Sequence, residues 1–226
     1  MIDWDDAYDN VGHIPEASSY PERWSRQAAA YRAAADFAEL DIPYGPHARE
    51  KIDLFHPEGS AKGVIVFVHG GYWMRLDKSF WSHLAEGART RGWRVAIPSY
   101  RLAPEARISE ITERIGTVIE QIGSNLEGTL RLAGHSAGGH LVTRMICEDS
   151  PLPDSLTNRI EHVLSISGLH DLRPLLHTGM NRTLGLIPDE AELESACLHR
   201  PLLGPTVTAW VGAEERPEYL RQMQLL

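Results

Sequence analysis

Leu132-Ala133-Gly134-His135-Ser136-Ala137-Gly138-Gly139-His140 is the stretch that decides how the chain is read. An apolar run from Leu130 to Ala133 ends in Gly134-x-Ser136-x-Gly138, and an Ala-rich, then amphipathic, segment follows directly. That order spells strand, sharp turn, helix. A serine on such a turn projects its hydroxyl above the carboxyl edge of a sheet, and small flanking residues let the two backbones pass closely. Small residues also gather in ordinary turns, so the pattern takes its meaning from its surroundings.

Upstream, Val64 to Val68 is apolar at every position, as expected of a strand covered on both faces. It ends in His69-Gly70-Gly71-Tyr72-Trp73. Before it, Lys51 to His56 alternates like a half-buried edge strand, and the turn Pro57-Glu58-Gly59-Ser60 predicts a hairpin into the Val64 run. Val95 to Ile97 is a short strand, and Ile108, Ile111, Ile115, Val118, Ile119 and Ile122 line one face of a helix. Downstream, Val163 to Ser167 ends in Gly168-Leu169-His170-Asp171, and Val207 to Val211 ends in Gly212-Ala213-Glu214-Glu215. Strands alternating with helices imply right-handed crossovers and a mostly parallel sheet with helices on both faces. Residues 1–45 carry a helical pattern through Trp24, Ala28, Tyr31 and Ala35, read as a helical cap segment on a single domain spanning 1–226.

The chain has 226 residues and a net charge of -9 spread along its length, which disfavours nucleic acid and anionic membranes as partners. No run approaches the length of a membrane span, and the acidic start Met1-Ile2-Asp3-Trp4-Asp5-Asp6 lacks the features of a secretory signal, so the expected location is cytoplasmic. Cys147 and Cys197 stand alone, with no Cys-x-x-Cys and no histidine at ligand spacing; both read as structural thiols, and neither metal nor cofactor is expected. The expected partner is a small molecule, and the oligomeric state stays open.

In open α/β sheets, chemistry gathers where strands end at the carboxyl edge. Here those ends hold His69-Gly70-Gly71, Ser136, Asp171 and Glu215. Acyl transfer needs a nucleophile, a base and donors for the oxyanion. Ser136 supplies the first; the backbone N–H groups of Gly70, Gly71 and Ala137 are candidates for the last. Glu215 is the preferred acid to orient a base, with Asp171 second. Among the eleven histidines, all before Glu215, His69 and His135 read as braces for the two glycine motifs, His140 as a helix-face residue, and His170 as the best substitute base. Tyr72, Trp73 and Trp24 are candidates to line a pocket for an aromatic substrate, against an equally plain reading as core packing.

These motifs, with Tyr100-Arg101-Leu102-Ala103-Pro104-Glu105, resemble the α/β-hydrolase superfamily, and within it the arylformamidase (kynurenine formamidase) and hormone-sensitive-lipase-like esterase group. The resemblance implies an α/β-hydrolase fold and a serine hydrolase, without metal, that cleaves a carboxylic ester or an aryl formamide such as N-formylkynurenine through an acyl-enzyme. There are two departures. Glu215 stands where the family usually has aspartate, and the family's histidine, with one more strand and helix, is expected beyond Leu226. A sheet lacking that last strand would leave the Val207 to Val211 strand as a bare apolar edge, so a longer chain is expected. The alternatives are a catalytically silent binding protein on the same fold and, at lower weight, a thioesterase or peptidase.

Overall fold

The computed structural model describes residues 2–226. Its elements are, in chain order, α1 (Trp4–Tyr8), α2 (Tyr20–Ala34), β1 (Ala38–Pro43), β2 (Lys51–Phe55), β3 (Gly63–Val68), α3 (Glu86–Arg89), β4 (Arg94–Pro98), α4 (Ile108–Asn125) and β5 (Thr129–His135). There follow α5 (Ala137–Arg144), α6 (Asp154–Thr157), β6 (Ile160–Ile166), α7 (Asn181–Leu184), α8 (Pro188–Leu193), β7 (Thr206–Trp210) and α9 (Pro217–Met223). The seven strands form one sheet in the order β1-β2-β4-β3-β5-β6-β7. β4, β3, β5, β6 and β7 run parallel, while β2 pairs antiparallel with both β1 and β4.

Alternation along the strands builds a core on each face. Val64, Val66, Val68, Leu130 and Leu132 meet the isoleucines of α4 and Leu141, Val142 and Met145 of α5. Phe55, Phe67, Val95 and Ile97 point the other way, onto Trp81 and onto Trp24 and Tyr31 of α2. Ile108, Ile111, Ile115 and Ile119 of α4 are fully buried, each contributing about 1.5–3 kcal/mol of burial. The start of α4 is held by the Arg107 N–H donating to Glu110 Oε2 at 2.8 Å, which satisfies an amide left over at the helix end.

The hairpin expected between Lys51–His56 and Val64–Val68 does not form. β2 pairs with β1, a strand not predicted from the sequence, and with β4. Ile52, Asp53, Leu54 and Phe55 are all buried, so β2 is an interior strand rather than an edge. Residues 1–45 likewise contain more than helix, since β1 is an outermost strand of the sheet. β7 is the other outermost strand, with Val207 and Trp210 exposed. Among the described residues no helix is long and apolar enough to cross a membrane.

From β3 the chain passes to β4 on one side of it and then to β5 on the other. The strand order therefore reverses at β3 and β5, whose carboxyl ends lie side by side. Crevices in open α/β sheets form at such a reversal, and this one holds both the Gly70-Gly71 and the Ser136 motifs.

Candidate active site

Ser136 sits between β5 and α5 with φ 56° and ψ -119°, a backbone conformation that costs a non-glycine residue on the order of 1–3 kcal/mol. Its N–H donates to the Ile166 carbonyl of β6 at 2.8 Å, and its own carbonyl accepts from the His140 N–H at 3.2 Å. The turn is tight because its glycines have no Cβ. A Cβ on Gly134 would stand 2.1 Å from the Gly138 carbonyl oxygen, and one on Gly138 would stand 2.0 Å from that of Val68. Ser136 ends up 7% exposed at the head of α5. The Ala137 N–H is in the first helical turn, where no carbonyl of the same helix can reach it.

The segment after β3 closes on this turn. A Cβ on Gly70 would lie 2.7 Å from the His135 carbonyl oxygen and 3.0 Å from Ser136 Cβ, so the Gly70 backbone is in direct contact with the serine. Gly71 has φ 120°, and its carbonyl accepts from the N–H groups of Met74 and Arg75 at 3.0 and 3.1 Å. Tyr72, Trp73 and Leu76 continue with φ 53°, 58° and 68°. With Ser136 and Ser167 they make five of the seven non-glycine residues of positive φ among the described residues. Strain is thus concentrated at the carboxyl ends of β3, β5 and β6.

The two acid candidates differ in what neutralises them. Asp171 accepts from Arg173 Nε at 2.8 Å and Nη2 at 3.1 Å, and Arg221 Nη2 comes within 3.5 Å. Burial raises its carboxyl, yet these guanidinium groups hold it below the ordinary range. Among the described residues Glu215 meets only neutral donors: the Ser167 hydroxyl at 2.6 Å and the Gly212 N–H at 2.9 Å on Oε1, and Asn10 Nδ2 at 2.9 Å on Oε2. A carboxylate offers about four acceptor positions, so these three donors leave one on Oε2.

The histidines of the motifs are committed elsewhere. His69 is buried, bonds the Gly70 carbonyl through Nδ1 at 2.7 Å and stacks on Tyr100 at 4.4 Å; burial pushes it down to about 4. His140 Nε2 meets the Glu194 carbonyl at 2.7 Å, and His170 Nε2 meets Ser165 Oγ at 3.1 Å; burial pushes each down to about 3. His170, the substitute base of the sequence reading, is therefore a core residue facing Ser165. Burial also lowers His135, with the Glu215 charge opposing.

Trp73 is fully buried and sets its ring edge-on to His140 at 5.3 Å, which is a packing position. The Tyr72 hydroxyl donates to the Tyr8 carbonyl and pairs with the Tyr219 hydroxyl, both at 2.6 Å. Trp24 packs on Trp81 at 4.9 Å, and Trp81 lies 6.2 Å from His135, so Trp24 is two rings removed from the serine turn. Among the described residues no group of three His, Cys, Asp or Glu side chains could hold a metal ion.

Residues 65–186 match the alpha/beta hydrolase fold family. The chain belongs to that family. It is 30% identical over 196 residues to kynurenine formamidase of Danio rerio, covering 82% of this chain and 66% of that protein. It is also 28% identical over 157 residues to an isoprenylcysteine alpha-carbonyl methylesterase of Arabidopsis thaliana, covering 63% of this chain and 37% of that one. The chain thus spans just under two thirds of the formamidase's length. A crystal structure from Silicibacter sp., assigned provisionally as a thioesterase, superposes with a TM-score of 0.96 at 48% identity, covering 100% of this chain and 86% of that chain. Esterase B of Lactobacillus rhamnosis, at 16% identity and a TM-score of 0.68, shares the fold.

On this α/β-hydrolase chain, two residues at the site escaped the sequence reading. Ser167 ends β6 as Ser136 ends β5, with φ 50°, and a small polar residue closing an apolar strand could have marked it. Asn10 gave no such signal, because it reaches Glu215 from 205 positions away.

Proposed function

We propose that the protein is a serine hydrolase in which Ser136 attacks the carbonyl of a carboxylic ester or aryl formamide to form an acyl-enzyme. The observation that carries this is the strained Ser136 turn at the head of α5 with the Gly70 backbone against its Cβ. The N–H groups of Gly70, Gly71 and Ala137 hold the oxyanion of the tetrahedral intermediate, each worth about 10²- to 10³-fold in rate. A histidine takes the serine proton and returns it to the leaving group. Glu215 orients that imidazole through its remaining acceptor position; Asp171 is the weaker candidate, since its charge is already spent on Arg173 and Arg221. Water then releases the acyl group.

Similarity to kynurenine formamidases and to a methylesterase supports a small neutral ester or formamide as substrate. The provisional thioesterase assignment of the 48% identical structure supports a thioester as second choice. The thiols Cys147 and Cys197, neither in a disulfide, support a reducing, cytoplasmic setting.

The test is turnover of N-formylkynurenine, p-nitrophenyl acetate and an acyl thioester by the wild type and Ser136→Ala, with fluorophosphonate labelling of Ser136. The expected result is labelling of the wild type alone and a preference for the formamide or the aryl ester. Turnover undiminished in Ser136→Ala overturns the mechanism. Neither labelling nor turnover would leave a pocket that binds without cleaving, and a preference for the thioester would move the substrate class.

A further inference from the structure

Glu215 is gripped from both ends of the chain. Its Oε1 is filled locally, by the Ser167 hydroxyl at 2.6 Å and the Gly212 N–H at 2.9 Å. Those two bonds fix one oxygen and let the carboxylate pivot about it. Oε2 is the oxygen with an acceptor position left for an imidazole, and among the described residues its one partner is Asn10 Nδ2 at 2.9 Å.

The Asn10 amide is itself oriented. Its Oδ1 accepts from the Arg216 N–H at 3.2 Å; because a backbone N–H only donates, the amide oxygen must face Arg216 and the NH₂ group must face Glu215. One side chain thus holds the acid and the backbone of the residue after it. Asn10 stands on a turn, its N–H donating to the Tyr8 carbonyl and its carbonyl accepting from the His13 N–H, both at 3.1 Å. α1, just ahead of that turn, is fastened to the same loop. The Arg216 guanidinium donates to the Asp6 carboxylate and, at 3.2 Å, to the Asp6 carbonyl, and the buried Tyr8 hydroxyl donates to Glu218 at 2.9 Å. From the segment after Gly71, the Tyr72 hydroxyl donates to the Tyr8 carbonyl at 2.6 Å. This strap therefore touches both the loop with the acid and the loop with the oxyanion donors.

A neutral amide suits the place. It donates to the carboxylate without matching its charge, whereas Arg173 and Arg221 do match that of Asp171. We infer that Asn10 is a positioning residue for Glu215, turning Oε2 so that its remaining acceptor position points at the base. The inference rests on the reading of Glu215 as the acid.

Steady-state hydrolysis of p-nitrophenyl acetate tests it with the wild type, Asn10→Ala, Asn10→Asp, Asp6→Asn and Glu215→Gln, circular-dichroism melting confirming that each is folded. Asn10→Ala should lower kcat about tenfold to hundredfold, with KM within about threefold. Glu215→Gln should lose about 10³-fold or more. Asp6→Asn loosens the same strap at Arg216 without touching Glu215, and its kcat should stay within about twofold of the wild type.

Asn10→Asp supplies a readout that a purely structural contact would not move. Two carboxylates then meet where an amide met one, and such a pair retains a shared proton at low pH. The proton stays on the new carboxyl, because Glu215 keeps two donors on Oε1 while its neighbour has only the Arg216 N–H. Protonated, that carboxyl donates to Oε2 as Asn10 does; ionised, it repels it. The kcat of Asn10→Asp relative to the wild type should therefore rise at least about fivefold from about pH 8.5 down to about pH 5.5. The other titratable and charged groups around the pair, His135, Tyr72, Tyr219, Arg216, Asp9 and His13, are the same in both proteins and cancel in the ratio.

Asn10→Ala within about twofold of the wild type, a ratio that stays flat with pH, or an equal loss in Asp6→Asn would each overturn the inference and leave Glu215 as the acid. Glu215→Gln as active as the wild type, or a wild type without turnover, would overturn both the inference and the reading beneath it.

Discussion

Ser136 is held in its unusual backbone conformation by neighbours that have no Cβ, and Gly70 is the one that closes on it from the end of β3. In Gly70→Ala the new Cβ would fall 2.7 Å from the His135 carbonyl oxygen and 3.0 Å from Ser136 Cβ. Both contacts are too short, and neither atom is the tip of a flexible side chain, so the segment after β3 must move away from the serine. A misplaced oxyanion donor then costs about 10²- to 10³-fold in kcat with little change in KM; steady-state hydrolysis of p-nitrophenyl acetate reads this, and a loss below about tenfold removes Gly70 from the oxyanion site. The two carboxylates divide in the same assay. Glu215→Gln keeps the size but not the charge, and should lower kcat by about 10³- to 10⁴-fold. Asp171→Asn should stay within about tenfold of the wild type, because the Asp171 charge is already matched by Arg173 and Arg221. The opposite ranking would make Asp171 the acid.

At the scale of elements, α1 and α9 are fastened to each other and to the segments after β3 and β6 by side-chain hydrogen bonds. Tyr8 donates to Glu218 at 2.9 Å, Gln222 donates to the Asp171 carbonyl at 2.9 Å, and the Tyr72 hydroxyl meets that of Tyr219 at 2.6 Å. Since Tyr72 already donates to the Tyr8 carbonyl, Tyr219 is the donor of that pair. Tyr219→Phe should cost about 1 kcal/mol, visible as a lower urea midpoint at constant slope; an unchanged midpoint would mean that the bond contributes nothing. Elements with a strong apolar period were legible in the sequence: α4 by its isoleucines, β3 by its unbroken apolar run, α5 by the motif that precedes it. β1 was not read, although Ala38-Glu39-Leu40-Asp41-Ile42 does alternate, because the run is short and closed by Pro43; its pairing register breaks between Glu39 and Ile42 and Leu40 is exposed. The pairing of β2 escaped for a different reason. Local alternation says which side chains are covered, but not which strand supplies the covering hydrogen bonds. The Ser136 turn and the positions of Asp171 and Glu215 after their strands were likewise legible, whereas Asn10 depends on long-range packing that no local pattern encodes.

At the scale of the whole molecule, the cores on both faces of the sheet bury histidines in neutral form, and this sets how stability responds to acid. His69, His140 and His170 are fully buried, and burial pushes them down to about 4, 3 and 3, whereas an unfolded chain protonates histidine at about 6.5. Each therefore contributes its full stability above about pH 6.5, where both states are neutral. As pH falls from there the unfolded chain takes up protons that the folded one does not, and stability declines until the folded groups titrate near pH 4 to 3. The slope is about 1.4 kcal/mol per pH unit for each residue, about 4 kcal/mol per unit for the three. Against a total stability of about 5–15 kcal/mol, that is a large share of what holds the protein folded. The Asp171 carboxyl, held low in the folded state, acts in a separate window: its contribution persists above the unfolded carboxylate range near 3.9 and is lost only below it. Urea denaturation at pH 7, 6 and 5 distinguishes the two windows. The midpoint should fall steeply between pH 6 and 5, above the range in which Asp171 titrates; a midpoint that stays level down to pH 5 would show that the three rings take up protons without unfolding, and hence that they are not sealed from water.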